Sequence, residues 1–120
     1  MADDGSELAL LKRRATQFLV HSFLYYRLGE SVLSDEFFDQ LAEELRVLRK
    51  KHPEADMPFP EIVDQALGEE ASGFVIRNYP PQIISSAFKL LYAVSSPQVD
   101  FVEFVERRGY QARIQPEETG

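Results

Sequence analysis

The sequence has no cysteine among its 120 residues. That excludes disulfides and thiolate metal sites and fits a reducing compartment. Histidine is scarce: His21 and His52 stand in no His-Glu-x-x-His or His-rich arrangement, so a zinc enzyme is not expected. There is no apolar run of about 18 residues, and no membrane-spanning helix is expected. The N-terminus, Met1-Ala2-Asp3-Asp4-Gly5-Ser6-Glu7, lacks the basic start and hydrophobic stretch of a signal peptide, so a cytoplasmic location is expected. Positive charge is also in short supply. A formal net charge of −7 argues against DNA or another polyanion held by counterion release. Lys12-Arg13-Arg14 reads as a solvated helix turn. A single nucleotide is still permitted, because one or two cationic or hydroxyl groups suffice for its phosphate.

What is present fits one domain. Apolar residues make up 44% of the chain, enough for one modest core. Residues 1–6 are expected to be disordered, with Ser6 capping a helix that begins at Glu7. Leu8, Leu11, Ala15, Phe18, Leu19 and Ser22 keep helical spacing, which continues through Tyr25 and Leu28 to a stop at Gly29. Ser34 caps a second helix with Asp35 and Glu36 in its first turn, where the helix dipole favours carboxylates. Leu41, Leu45 and Leu48 with Phe37 or Phe38 form its buried stripe, and Pro53 ends it. Pro60 opens a short helix through Leu67, and Pro80-Pro81 introduces another over Gln82–Val94. Ser96-Pro97 starts a fifth through Arg108, with Val99, Phe101, Val102 and Val105 apolar. Phe74-Val75-Ile76 fits a strand or a buried turn equally well. The expected fold is mainly α: a helical hairpin over 7–54, about three further short helices over 55–109 in the same compact domain, and a flexible tail over 110–120.

The ordered pattern His21-x-x-Leu24-Tyr25-Tyr26-x-Leu28, Ser34-Asp35-x-x-Phe38-Asp39-x-Leu41-x-x-Glu44-Leu45-x-x-Leu48, Lys51-His52-Pro53-Glu54 resembles the N-terminal Ia domain of bacterial NAD-dependent DNA ligases. The resemblance spans roughly residues 13–54, about a third of the chain. It implies a hairpin that grips the nicotinamide mononucleotide (NMN) half of NAD. By this resemblance Tyr25, Tyr26, Asp35 and Asp39 contact the nucleotide. Phe38 stands where the family usually carries Tyr, which removes a hydroxyl. Gly29 stands where Asp is frequent. None of Lys12, Lys50, Lys51 and Lys89 lies in a Lys-x-Asp-Gly adenylation motif, so the chain is not expected to act as a ligase by itself. Residues 69–94, with Ser72-Gly73-Phe74 before a helix, resemble more weakly small stand-alone ligase-Ia-like proteins of bacteriophages. If the chain is viral, as that resemblance implies, its expected place is a host cytoplasm.

The residues permit this ligand class on physical grounds. Asp35 and Asp39 are four apart on one helix face, and two like charges there repel by roughly 0.2–0.5 kcal/mol. A cation between them turns that cost into a gain, and the oxidised nicotinamide ring is a cation. Tyr25, Tyr26 and Phe38 offer faces worth about 0.5–2 kcal/mol each to it. Tyr hydroxyls and His21 can reach ribose or phosphate. The plainer readings are a first-turn dipole residue at Asp35, an Asp39–Arg27 ion pair, core aromatics, a satisfied helix histidine at His21 and a structural helix end at His52-Pro53-Glu54. Tyr79, Tyr92 and Arg77 are candidates to close a pocket.

Three functions follow. The favoured one is non-enzymatic binding of a nicotinamide nucleotide or an NAD-derived signal, such as a viral protein sequestering a host defence nucleotide. It needs no cofactor and no metal. The alternative is an interaction module on an inherited hairpin scaffold, serving a protein partner, a ligase-like adenylation domain or a second copy of the chain. An enzyme cleaving the nicotinamide bond is the weakest, because no nucleophile or general acid accompanies the carboxylates.

Overall fold

The computed structural model describes residues 4–68, Ile76 and 78–111. Its elements are α1 (Asp4–Ser22), α2 (Asp35–Lys51), α3 (Pro60–Gly68), α4 (Pro81–Ser95) and α5 (Phe101–Glu106). The fold is mainly helical and forms one globule, as the sequence implies. No helix among the described residues is long and apolar enough to cross a membrane.

The hairpin is α1 against α2. Leu11, Ala15, Phe18 and Leu19 of α1 are buried, with Phe38, Leu41, Ala42, Leu45 and Leu48 of α2. Each large side chain so buried contributes roughly 1.5–3 kcal/mol relative to exposure. Ser34 caps α2 as its sequence requires, its Oγ accepting from the Phe37 amide at 3.2 Å. The two helices are also tied at their far ends. Glu7 accepts from Lys51 at 2.9 Å and meets His52 Nε2 at 2.7 Å, which gives the His52-Pro53-Glu54 end a structural partner.

Past Ser22 the helix does not stay α. Phe23–Leu28 is π-helical, with i→i+5 bonding that widens the turn and resets the phase of the side chains. Gly29 closes it at φ 65°, and the Gly29 and Glu30 amides both donate to the Leu24 carbonyl. In the link that follows, the Ser31 hydroxyl donates to the Leu33 carbonyl.

α4 packs behind α1, carrying Ile83, Ala87, Phe88 and Leu91 into the core. Arg108 reaches the hairpin link through a two-pronged pair with Glu30 at 2.6 and 2.9 Å, while lying 3.9 Å over the Phe104 ring.

Four expectations differ from the structure. α1 begins at Asp4, so Asp4–Ser6 are helical and Ser6 is no cap. Ser96 does not open α5: it takes the left-handed conformation (φ 47°) that ends α4. Asp100 is the cap instead, accepting from the Glu103 amide at 2.9 Å, because its carboxylate complements the positive helix end. α5 stops at Glu106, short of the Arg108 expected, and buries Phe104 and Val105, leaving Val102 outside. The tail is anchored at its start, since Tyr110 packs edge-on against Phe23 and Phe88. Residues 69–75 (including Ser72-Gly73-Phe74), Arg77 and 112–120 lie outside the described residues. Of the undecided stretch, Ile76 is buried.

Candidate functional site

The linked end of the hairpin brings the π-helical turn that follows α1 against the first turn of α2. The π-helical turn presents Tyr25 and Tyr26 together, both partly exposed, with ring centroids 4.7 Å apart and planes nearly perpendicular. Asp35 and Asp39 stand exposed on one face of α2 beside them. The Tyr25 hydroxyl donates to the Asp35 carboxylate, and that bond, with the nearby negative charge, pushes the phenol above its ordinary range. Asp39 makes no ion pair among the described residues, so the Asp39–Arg27 pairing does not form. Arg27 lies 5.4 Å from the centre of the Tyr79 ring.

Phe38 takes the buried place in the α2 stripe that the sequence left open between it and Phe37. It is only 5% exposed and stacks with Phe18 (5.6 Å, 15°) and with Tyr25 (5.8 Å, 22°). The Tyr26 ring meets it edge-on at 6.3 Å. A ligand on this end would therefore meet the two tyrosines, with Phe38 as the core ring that holds Tyr25 in place. The rings pack on one another, so the arrangement offers a platform edged by carboxylates.

Five of the six sequence-derived residues meet here: Tyr25, Tyr26, Asp35, Phe38 and Asp39. His21 does not line the same surface. It borders a groove of about 260 Å³ between α1 and α2, with Arg14, Phe37, Gln40 and Glu44. Its Nδ1 is buried with no hydrogen-bond partner, contrary to the satisfied helix histidine expected. Burial pushes its imidazole below the ordinary histidine range, toward the neutral form.

Neither C-terminal tyrosine closes a pocket. Tyr79 is buried edge-on against Phe23, and burial pushes its hydroxyl well above the ordinary range. Tyr92 donates to the Val99 carbonyl at 2.8 Å and packs between Phe101 and Phe104. The described residues hold no cluster of three or more side chains suited to a metal ion.

Sequence reasoning missed the π-helical turn, the Tyr25–Asp35 bond and the groove. No residue pattern signals the first. The second had a signal in the spacing of a tyrosine near a helix stop and an acid in the next helix's first turn.

The chain matches no protein-family profile and no solved structure. It does share 40% identity over 50 residues with a DNA ligase of Pseudothermotoga lettingae. Part of this chain is thus similar to a short segment of a DNA ligase. The matched stretch is 42% of this chain and 7% of that ligase.

Proposed function

We propose that the hairpin is related to the N-terminal Ia domain of NAD-dependent ligases, and that its linked end binds a nicotinamide nucleotide or an NAD-derived nucleotide without catalysing a reaction. The observation that carries this is the pairing of two partly exposed tyrosine rings with two exposed carboxylates, one of them unpaired, at the end of the hairpin. A cationic aromatic ring laid on the tyrosines gains both cation–π attraction and the field of Asp35 and Asp39. No recognisable catalytic motif in the sequence places a nucleophile or general acid beside those carboxylates, which favours binding over catalysis. Sequestration of a nucleotide signal in the cytoplasm is the biological role consistent with that chemistry.

The test is thermal shift and calorimetry with NMN, NAD, ADP-ribose and cyclic ADP-ribose isomers, on wild type and Asp39→Ala. Ligand at 100 times its dissociation constant stabilises by about 2.7 kcal/mol, a clear rise in melting temperature. Loss of that rise in Asp39→Ala is expected. A flat panel on the wild type would sink the reading.

A second reading has its own observation. Val94 at the end of α4 and Val102 on α5 are 55% and 47% exposed, apolar side chains on the C-terminal helices where this reading expects its partner. Under it, nucleotides leave the melting temperature unchanged, and Val94→Ser with Val102→Ser abolishes recovery of a partner that Asp39→Ala leaves intact.

A further inference from the structure

The groove between α1 and α2 is absorbed by neither reading. None of Tyr25, Tyr26, Asp35 or Asp39 lines it. At about 100° per residue, Phe37, Gln40 and Glu44 share one flank of α2 while Asp35 and Asp39 share another, with the buried stripe of Phe38, Leu41 and Leu45 between. Two successive phenylalanines thus have opposite fates. Phe38 enters the core and Phe37 stays 61% exposed on the groove.

The polar groups of the groove come as balanced donors and acceptors. Arg14 donates through Nε to Glu44 at 2.9 Å and through Nη1 to Gln17 at 2.7 Å, which cancels the charge on the rim. His21 is held toward its neutral form by burial. A neutral imidazole has one N–H and one lone pair. The buried, unpartnered nitrogen is Nδ1. With Nδ1 buried, Nε2 is the ring nitrogen left for whatever enters the groove, as donor or acceptor according to the tautomer. Gln40, exposed on the same flank, offers both a donor and an acceptor.

A groove of about 260 Å³ is smaller than the ~300–1,000 Å³ of pockets for drug-sized ligands, so it suits a single ring. A cancelled rim charge disfavours both anions and cations. An exposed phenylalanine supplies a stacking face, and mixed donors and acceptors suit a group that is both. We propose that this groove binds a small, planar, uncharged aromatic carboxamide, its ring against Phe37 and its amide among His21, Arg14 and Gln40. A partner's inserted side chain is the competing occupant, and it would not saturate with free ligand.

The probe is benzamide, with benzoate and benzylammonium as charged controls, titrated into ¹⁵N-labelled protein while the backbone amides and the His21 ring nitrogens are followed. Saturable shifts are expected at His21, Phe37 and Gln40, with benzamide at least about fivefold tighter than either control. Phe37→Ala, at an exposed position that leaves the core untouched, should weaken benzamide about fivefold. Gln40→Ala should weaken it while leaving the remaining spectrum in place. Non-saturating shifts, equal response to all three probes, shifts centred on Tyr25 and Tyr26, or indifference to Phe37→Ala would each overturn the proposal. Nucleotide binding at the tyrosine platform would be unaffected by that failure.

Discussion

Two of the six ligand candidates serve at the residue scale in ways that their residue types do not announce. Phe38 is a packing element: its ring joins Phe18 to Tyr25 in one stack, so the platform is as rigid as the core beneath it. Phe38→Ala should cost about 3–5 kcal/mol in urea unfolding, because neighbouring rings cannot collapse into the space. A cost under about 1 kcal/mol would mean that the stack is not formed in solution. Tyr25 is fixed from its other end by Asp35. Tyr25→Phe keeps the ring and removes the bond, so the folded protein should lose no more than about 1 kcal/mol, the usual net worth of one hydrogen bond. The ultraviolet titration of the remaining tyrosines should at the same time lose one high-pH component. Persistence of that component would assign it elsewhere. Asp35 and Asp39 stay exposed on the wet face of a capped helix, where the sequence places them.

The decisive element is the turn where α1 becomes π-helical. In that turn Tyr25 and Tyr26 come together at the hairpin's linked end, their ring centroids 4.7 Å apart. Gly29 terminates the turn at φ 65°, with nothing within 4 Å of where a Cβ would sit. Gly29→Ala therefore carries only the backbone penalty, about 1–2 kcal/mol, with no clash to relieve. Thermal unfolding should show that loss, and Gly29→Asn should recover part of it, since Asn tolerates the left-handed region. Equal stability of all three would contradict the assigned turn. Ser34 at the start of α2 and Asp100 at the start of α5 show the converse case, in which a side chain bonds its own helix's first turn. Such caps are legible in sequence because the bond spans three residues. Ser96-Pro97 misled because Asp100 lies four residues on and offers a charge as well as an acceptor.

At the scale of the whole molecule, polar ties join elements far apart in sequence. Glu30–Arg108 holds the hairpin link to the end of α5, and Glu7 holds the start of α1 to Lys51 and His52 at the end of α2. The hydrogen bond from His52, followed by that from Lys51, holds the Glu7 carboxyl below the ordinary carboxylate range. A folded-state value below the unfolded one means that the ties stabilise the protein above the ordinary carboxylate range. Their contribution is lost as pH falls through the lowered value of Glu7. Melting temperature against pH should therefore fall less steeply in acid for Glu7→Gln than for the wild type, with the curves converging once Glu7 is protonated. Parallel curves would show that Glu7 does not take part.

The sequence by itself determined the helical class, the hairpin and the starts of α2, α3 and α4, because apolar spacing, caps and proline act over a few residues. It also put Tyr25, Tyr26, Asp35 and Asp39 on facing helix ends. Only the tertiary structure decided that Phe38 belongs to the core while Phe37 does not, that Tyr25 bonds Asp35, and that His21 faces a separate groove. Those outcomes depend on which flank of each helix meets its neighbour and on one widened turn. Both are settled by close packing between elements distant in the chain, and local spacing does not record it.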